Sequence, residues 1–303
     1  MRLAIWGPEL GGEGPGLLYR DVLSGKNARI DASLAQIVQL APDVLLLIGV
    51  DWDGQQAAAH ALREALAARD AHYPYLVHRQ PNSGLPSGED LDGNGVYGEA
   101  RDAQGYGRFT GAGGVLLLSK LPVIAVEDMS AMLWRDLAGG LADGAELSPG
   151  ALAVQRLSSS VHWIVRLEGL ELLIWSATPP IFDGPEDRNG RRNHDETAFW
   201  LPYLATLPAD PPLVMLGRAN LDPAQKEGRK AALETLLSSP RLQDPLPDLP
   251  TADLGGKHLR LDYILPDHLL EVTGAGVLPA TEGARYRMVW VDIAWPCACS
   301  RGD

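Results

Sequence analysis

Asp90-Leu91-Asp92-Gly93-Asn94-Gly95 sets three oxygen-bearing side chains two residues apart and closes on glycine. That is the opening of a Ca²⁺-binding loop, with Asp90, Asp92 and Asn94 as its first ligands. The twelfth residue counted from Asp90 is Arg101, not the bidentate Glu that completes such a loop, although Glu99 and Asp102 lie close. A solvated Gly/Asp turn is the simpler expectation, with a structural Ca²⁺ site as the alternative. A second cluster gathers Arg188, Arg191, Arg192 and His194. Arginine suits bidentate recognition of phosphate, so the cluster reads as anion-binding. The acids Asp183, Asp187, Asp195 and Glu196 equal or exceed these bases, and internal ion pairing is the simpler expectation. His162, on an apolar run beside Trp163, reads as a hydrogen-bonded structural histidine. Cys297 and Cys299 form a C-x-C pair that offers two thiolates but finds no second Cys/His pair, so free thiols in a short tail are expected.

These residues need a frame. Apolar runs of strand length occur at residues 3–6, 43–49, 115–118, 163–167, 172–175, 213–216, 261–265 and 288–293. Helical spacing appears at 30–40, where Ile30, Leu34, Ile37 and Val38 share a face, and in the Ala-rich stretch 55–69. Helices are also expected over 196–207 and 226–238. Runs apolar on both faces belong inside a layered α/β structure. Residues 80–112 and 181–195 are long, polar and Gly-rich, which marks them as loops that are either binding elements or poorly ordered. No repeat or linker divides the chain, so one domain over 1–294 and a tail over 295–303 are expected.

The chain carries 26 Lys+Arg against 39 Asp+Glu, a formal net charge of −13. That balance disfavours a general grip on nucleic-acid phosphates, which needs a basic face. No window approaches the ~18 apolar residues of a membrane span, and no secretory apolar segment opens the chain, so a cytoplasmic setting is expected.

Several segments together resemble the endonuclease/exonuclease/phosphatase superfamily related to DNase I. They include Ala41-Pro42-Asp43-Val44-Leu45-Leu46-Leu47, Gly105-Tyr106-Gly107-Arg108-Phe109, and Gln155-Arg156-Leu157-Ser158-Ser159-Ser160-Val161-His162-Trp163. Residues 178–196, Gly217-Arg218-Ala219-Asn220-Leu221-Asp222-Pro223, Arg260-Leu261-Asp262-Tyr263 and Val289-Trp290-Val291-Asp292 complete the likeness. It runs from about residue 3 to 293, and the block 178–196 resembles a bacterial branch. The resemblance implies an α/β (α+β) fold, a four-layer α/β/β/α sandwich. It also implies metal-assisted phosphate-ester cleavage, with Mg²⁺ on Asn and Glu side chains and a His–Asp pair activating water.

This chain departs from that pattern. Gly7 stands where the first strand should end in Asn, Gly49 at the metal-binding Glu, and Ser176 at the His before Thr-Pro-Pro. Gly-Asp-x-Asn reads Gly217-Arg218-Ala219-Asn220, and the closing Asp-His reads Arg285-Tyr286. Asn220 and Asp262 alone survive, two of eight positions, so six are replaced. Arg218 and Arg285 put permanent positive charges where a divalent cation would sit. At ~4 Å and an effective dielectric near 20, each contact costs about 4 kcal/mol per unit of metal charge. Tyr286, with a reference pKa of ~10, is a poor base near neutrality.

The expectation is therefore a catalytically inactive family member, acting as a binding or structural scaffold with a protein partner. The alternative is a metal-dependent phosphoesterase or nuclease with a rewired site built from Asp51, Asp53, Asn220, Asp222, Asp262 and His194, the only case that calls for Mg²⁺.

Overall fold

The apolar runs pair into two sheets whose facing sides form the middle of the molecule. This computed structural model describes residues 1–295; Cys297 and Cys299 lie outside the described residues. The first sheet holds β1 (Arg2–Trp6), β2 (Val44–Val50), β3 (Tyr75–Val77), β4 (Gly114–Ser119), β12 (Val272–Val277) and β13 (Val289–Ile293). Its order is β12-β13-β1-β2-β4-β3. The second sheet has the order β11-β8-β7-β6-β5, made of β5 (Val123–Asp128), β6 (His162–Leu167), β7 (Leu170–Ser176), β8 (Leu213–Arg218) and β11 (Asp262–Pro266). A short ribbon, β9 (Ala252–Leu254) with β10 (Lys257–Leu259), stands apart.

Because strand side chains alternate, each sheet has one face for its partner and one for helices. Ile5, Leu46, Leu117, Trp163, Ile174, Leu216, Ile264 and Val291 fill the space between the sheets. On the outer side of the first sheet, Trp6, Leu45 and Leu47 pack against α1 (Leu17–Ser24), α2 (Ala28–Leu40) and α3 (Ala57–Ala67) through Val22, Leu34, Ile37, Leu62 and Leu66. On the outer side of the second, Trp175, Met215 and Tyr263 meet Trp134, Trp200, Leu233 and Leu236. That layer carries α5 (Arg188–Ala198), α6 (Trp200–Thr206) and α7 (Ala231–Leu237), with α4 (Pro149–Val154) beyond it. The result is a four-layer α/β/β/α sandwich.

Three expectations need correction. The polar stretch 181–195 is not a loop throughout, because α5 begins at Arg188. Its apolar content is too low to show helical periodicity, and it buries polar groups instead: Arg192, Asn193, Asp195, Glu196 and Thr197 are all buried. The helix expected over 196–207 is two, because Pro202 has no N–H for the Ala198 carbonyl and α5 ends there. The helix expected from 226 starts only at Ala231, after Gly228 at φ 78°. Strand β12 went unread because Val272-Thr273-Gly274-Ala275-Gly276-Val277 is Gly-rich. Its glycines lie under the Trp290 indole, whose Nε1 sits 2.9 Å from where a Cβ on Gly276 would stand.

Candidate functional site

The ends of β1, β7 and β8 and the start of β11 meet at one mouth of the sandwich. Register fixes the geometry: Asp262 pairs with Arg218 across the antiparallel β11–β8 ladder, and Ser176 pairs with Arg218 across the parallel β7–β8 ladder. Leu216 and Ile264 point between the sheets. Two residues nearer the mouth, Arg218 after Leu216 on β8 and Asp262 before Ile264 on β11 share that parity and point into it.

There they form a bidentate ion pair, with Nε donating to Oδ1 at 2.7 Å and Nη2 to Oδ2 at 3.0 Å. The pair is buried, Arg218 at 7% and Asp262 at 1% exposure. Tyr286 covers it, its ring centroid 3.7 Å from the guanidinium carbon. Burial works against the guanidinium charge, and the charge and hydrogen bonds of Asp262 more than offset it, so the Arg218 pKa stands above its ordinary value. At the rim, Arg285 donates to Glu9 through Nε at 2.6 Å, through its backbone N–H at 3.1 Å and through Nη2. Burial raises the Glu9 carboxyl, but hydrogen bonds from Arg285 prevail and hold it below the usual range.

The other acids near these strand ends are held by backbone. Asp51 accepts from Gly113 N–H at 2.8 Å and Gly12 N–H at 2.7 Å, tying two loops together; burial keeps its pKa raised against both bonds. Asp53 caps the start of α3, accepting from Gln55, Ala57 and Ala58. Asp222 accepts from Ala224 and Arg260 N–H. Asn220, at φ 52°, donates Nδ2 to the Ala177 carbonyl at 2.7 Å. Gly49, at φ 87°, sits at a bulge between β2 and β4.

Helix α5 disperses the arginine cluster. Arg192 is buried and donates to the carbonyls of Leu157, Arg156, Ser158 and Gln104. Arg188 reaches the Leu91 and Ala145 carbonyls, and Arg191 the Glu186 carbonyl. Of the acids expected to pair within the cluster, Asp195 alone does so, meeting His194; the others go elsewhere, Asp187 to Arg229, Asp183 to the Asn189 N–H, and Glu196 to Ser159 and Thr178. Carbonyl acceptors leave no residue signature, so sequence pointed to acids instead. His162 is buried and its Nε2 contacts the Glu196 carbonyl oxygen at 2.8 Å; burial lowers its pKa to about 4.

Across the molecule, Asp90 and Asp92 converge with buried Asp102, one carboxylate oxygen from each lying within 4.8 Å of the others. Asn94 donates Nδ2 to Asp92 and Glu99, and its Oδ1 accepts from Val96 N–H at 2.7 Å. Among the described residues no second group of three His, Cys, Asp or Glu side chains converges in this way.

A four-layer sandwich with this strand order defines a DNase I-like α/β protein. The family model described as "Endonuclease/Exonuclease/phosphatase family" matches residues 18–296, and the chain belongs to that family. Solved structures agree on the fold. An endonuclease/exonuclease/phosphatase from Beutenbergia cavernae is 16% identical, with TM-score 0.60 over 97% of this chain and 71% of that one. A family protein from Leptotrichia buccalis is 17% identical, with TM-score 0.56 over 97% of this chain and 100% of that one. The Neisseria 3′ phosphatase NExo, bound to a product DNA hairpin, is 16% identical, with TM-score 0.57 over 97% and 100%. No curated protein matches the sequence. No helix among the described residues is long and apolar enough to cross a membrane.

The Mg²⁺ expected of the family asks for several oxygen ligands around one open point. At this mouth Gly7 and Gly49 have no side chain, both Asp262 oxygens are taken by Arg218, and a guanidinium occupies the space. These residues do not fit a divalent cation.

Proposed function

We propose that this chain is a family member that binds rather than hydrolyses, using the sandwich as a scaffold for a protein partner. The single observation that carries this reading is the buried Arg218–Asp262 pair beneath Tyr286. A phosphoesterase needs an electrophilic metal and a base with a pKa near neutrality at the reacting phosphate. Here Asp262 is committed to a permanent cation, and Ser176 and Tyr286 stand where bases are expected. A net charge of −13 argues for a protein partner over nucleic acid. Calcium at the Asp90 loop belongs to the same reading, as a structural ion that shapes the scaffold.

The test is hydrolysis of bis(p-nitrophenyl) phosphate with Mg²⁺ or Mn²⁺. The expected result is no metal-dependent turnover above buffer. Turnover that disappears in Asn220→Ala would establish the rewired enzyme in place of the scaffold.

A further inference from the structure

Gly7 lacks a side chain for want of space, not for backbone freedom. Its φ lies outside the left-handed region, so any L-residue could adopt the backbone. A Cβ there would stand 2.4 Å from Arg218 Nη2, 2.9 Å from Nη1 and 3.0 Å from Cζ. A long side chain usually swings away from such a contact. Arg218 cannot, because two hydrogen bonds to Asp262 fix its plane and the Tyr286 ring lies 3.7 Å away.

We infer that the mouth is a binding site for one planar organic cation, and that Arg218 fills it from within the chain. Gly7 is the seat, Asp262 the counter-charge and Tyr286 the cover. The arrangement also joins the two sheets, since Gly7 and Tyr286 flank β1 and β13 of the first while Arg218 and Asp262 end strands of the second. Asp262 at 1% exposure needs a positive partner, because an isolated buried carboxylate is strongly unfavourable. Lysine cannot replace this fork, being a point charge without the paired planar donors or the flat face for the ring. The substitutions at positions 7 and 218 are thus one coupled change: the cation is tethered, and the ligand it displaces has no room to return.

The inference rests on the proposed reading only in treating the exchangeable metal as displaced, and its test reads unfolding instead of turnover. Gly7→Ala and Arg218→Ala are made singly and together, and their melting temperatures compared. Arg218→Ala is expected to lower Tm by on the order of 5–10 °C, and Gly7→Ala by roughly 3–6 °C. In the double variant the alanine at position 7 should add almost nothing, because the atoms it strikes are gone. Millimolar ethylguanidinium should raise the Tm of Arg218→Ala but not that of the wild type or the double variant. If Arg218→Ala does not fold, Arg218→Lys takes its place, with the same relief of the Gly7→Ala penalty. Additive penalties would overturn the inference, as would Mn²⁺ raising the Tm of an Asp92→Asn variant, in which the separate acidic loop no longer answers for the effect. Phosphodiester turnover alongside a non-additive cycle would sink the scaffold reading and leave the tethered cation standing.

Discussion

The Ser159 backbone N–H and hydroxyl both donate to one oxygen of Glu196, at 2.6 and 2.7 Å. The other oxygen accepts from Thr178 N–H at 2.7 Å. Glu196 thereby holds α5 to the segment before β6 and the one after β7, the two loops bordering the mouth. Its carboxylate is fully buried, and burial pushes its pKa up to about 7 against the pull of Arg192 and these donors.

That raised value has a defined consequence for stability. Between about 4.5 and 7 the folded chain holds a proton on Glu196 that the unfolded chain has released, so this group's contribution falls as pH rises through that window. His78 and His162, both lowered to about 4 by burial, act in the other direction, because the unfolded chain takes up their protons below about 6.5. The two effects oppose each other in the wild type. Glu196→Gln removes the falling component and should make stability rise more steeply with pH, by up to about 3 kcal/mol across the window. Urea unfolding of both proteins at a series of pH values checks this; parallel curves would refute it.

Asp195 anchors the other side of α5. Its Oδ2 accepts from the Trp134 indole at 2.7 Å and from Leu141 N–H at 2.6 Å, while Oδ1 lies 2.9 Å from His194 Nδ1. Asp195→Ala strands a buried indole donor and a backbone donor together. It should cost on the order of 2–6 kcal/mol, at about 1–3 per orphaned group. His194→Ala, at the half-buried end of the network, should cost under about 1 kcal/mol. Equal losses in the two variants would mean that His194, rather than the buried donors, carries the network.

What the sequence disclosed and what it hid divide along physical lines. Runs such as Val44–Val50 announce themselves, since a strand buried on both faces must be continuously apolar. The substitutions at Gly7, Arg218 and Tyr286 were also readable, because each changes chemistry at a motif. That they would assemble into one stacked unit was not readable, since it depends on register between β8 and β11 and on closeness across two sheets. Helix α5 was hidden for a different reason. Its buried face is polar, and its arginines end on carbonyls, which every residue possesses. Asp102 was visible as an acid near its loop, but its place as the third converging carboxylate was not, because it lies outside the expected ligand spacing.

Glu9 and Arg285 show how little an ion pair matters once it reaches solvent. The Arg285 side chain is 63% exposed, so water screens the charges and the long side chain loses freedom on pairing. Arg285→Gln should change stability by no more than about 1 kcal/mol, with the difference shrinking at high salt. Arg218→Gln, which removes the charge and the forked donors and leaves Asp262 buried without its partner, should cost about 3–5 kcal/mol with little response to salt. Thermal melts of the two variants at low and high NaCl separate these cases. A large, salt-insensitive loss at Arg285 would show that the rim pair, and not the buried one, closes the mouth.

The Asp90 loop is already folded around its own amides. Asp90 accepts from Gly95, Gly93 and Asn94 N–H, led by Gly95, which holds its carboxyl below the usual range. Asp102 accepts from Leu91 and Glu99 N–H and is buried. Three carboxylates fixed this close repel one another, and a hard cation relieves that repulsion without reorganising the backbone. Ca²⁺ in the millimolar range should therefore raise the melting temperature. Mg²⁺, which demands a tighter octahedral shell, should raise it less. Asp92→Asn is the informative variant, because Asp92 makes fewer backbone contacts than Asp90 or Asp102 and its loss should not unfold the loop. In that variant the calcium response should disappear while the melting temperature without calcium stays the same or rises, since one member of the repelling set is gone. A wild type indifferent to calcium would instead leave the three acids as turn caps, their charge met by backbone amides and by Arg101, 3.8 Å from Asp92.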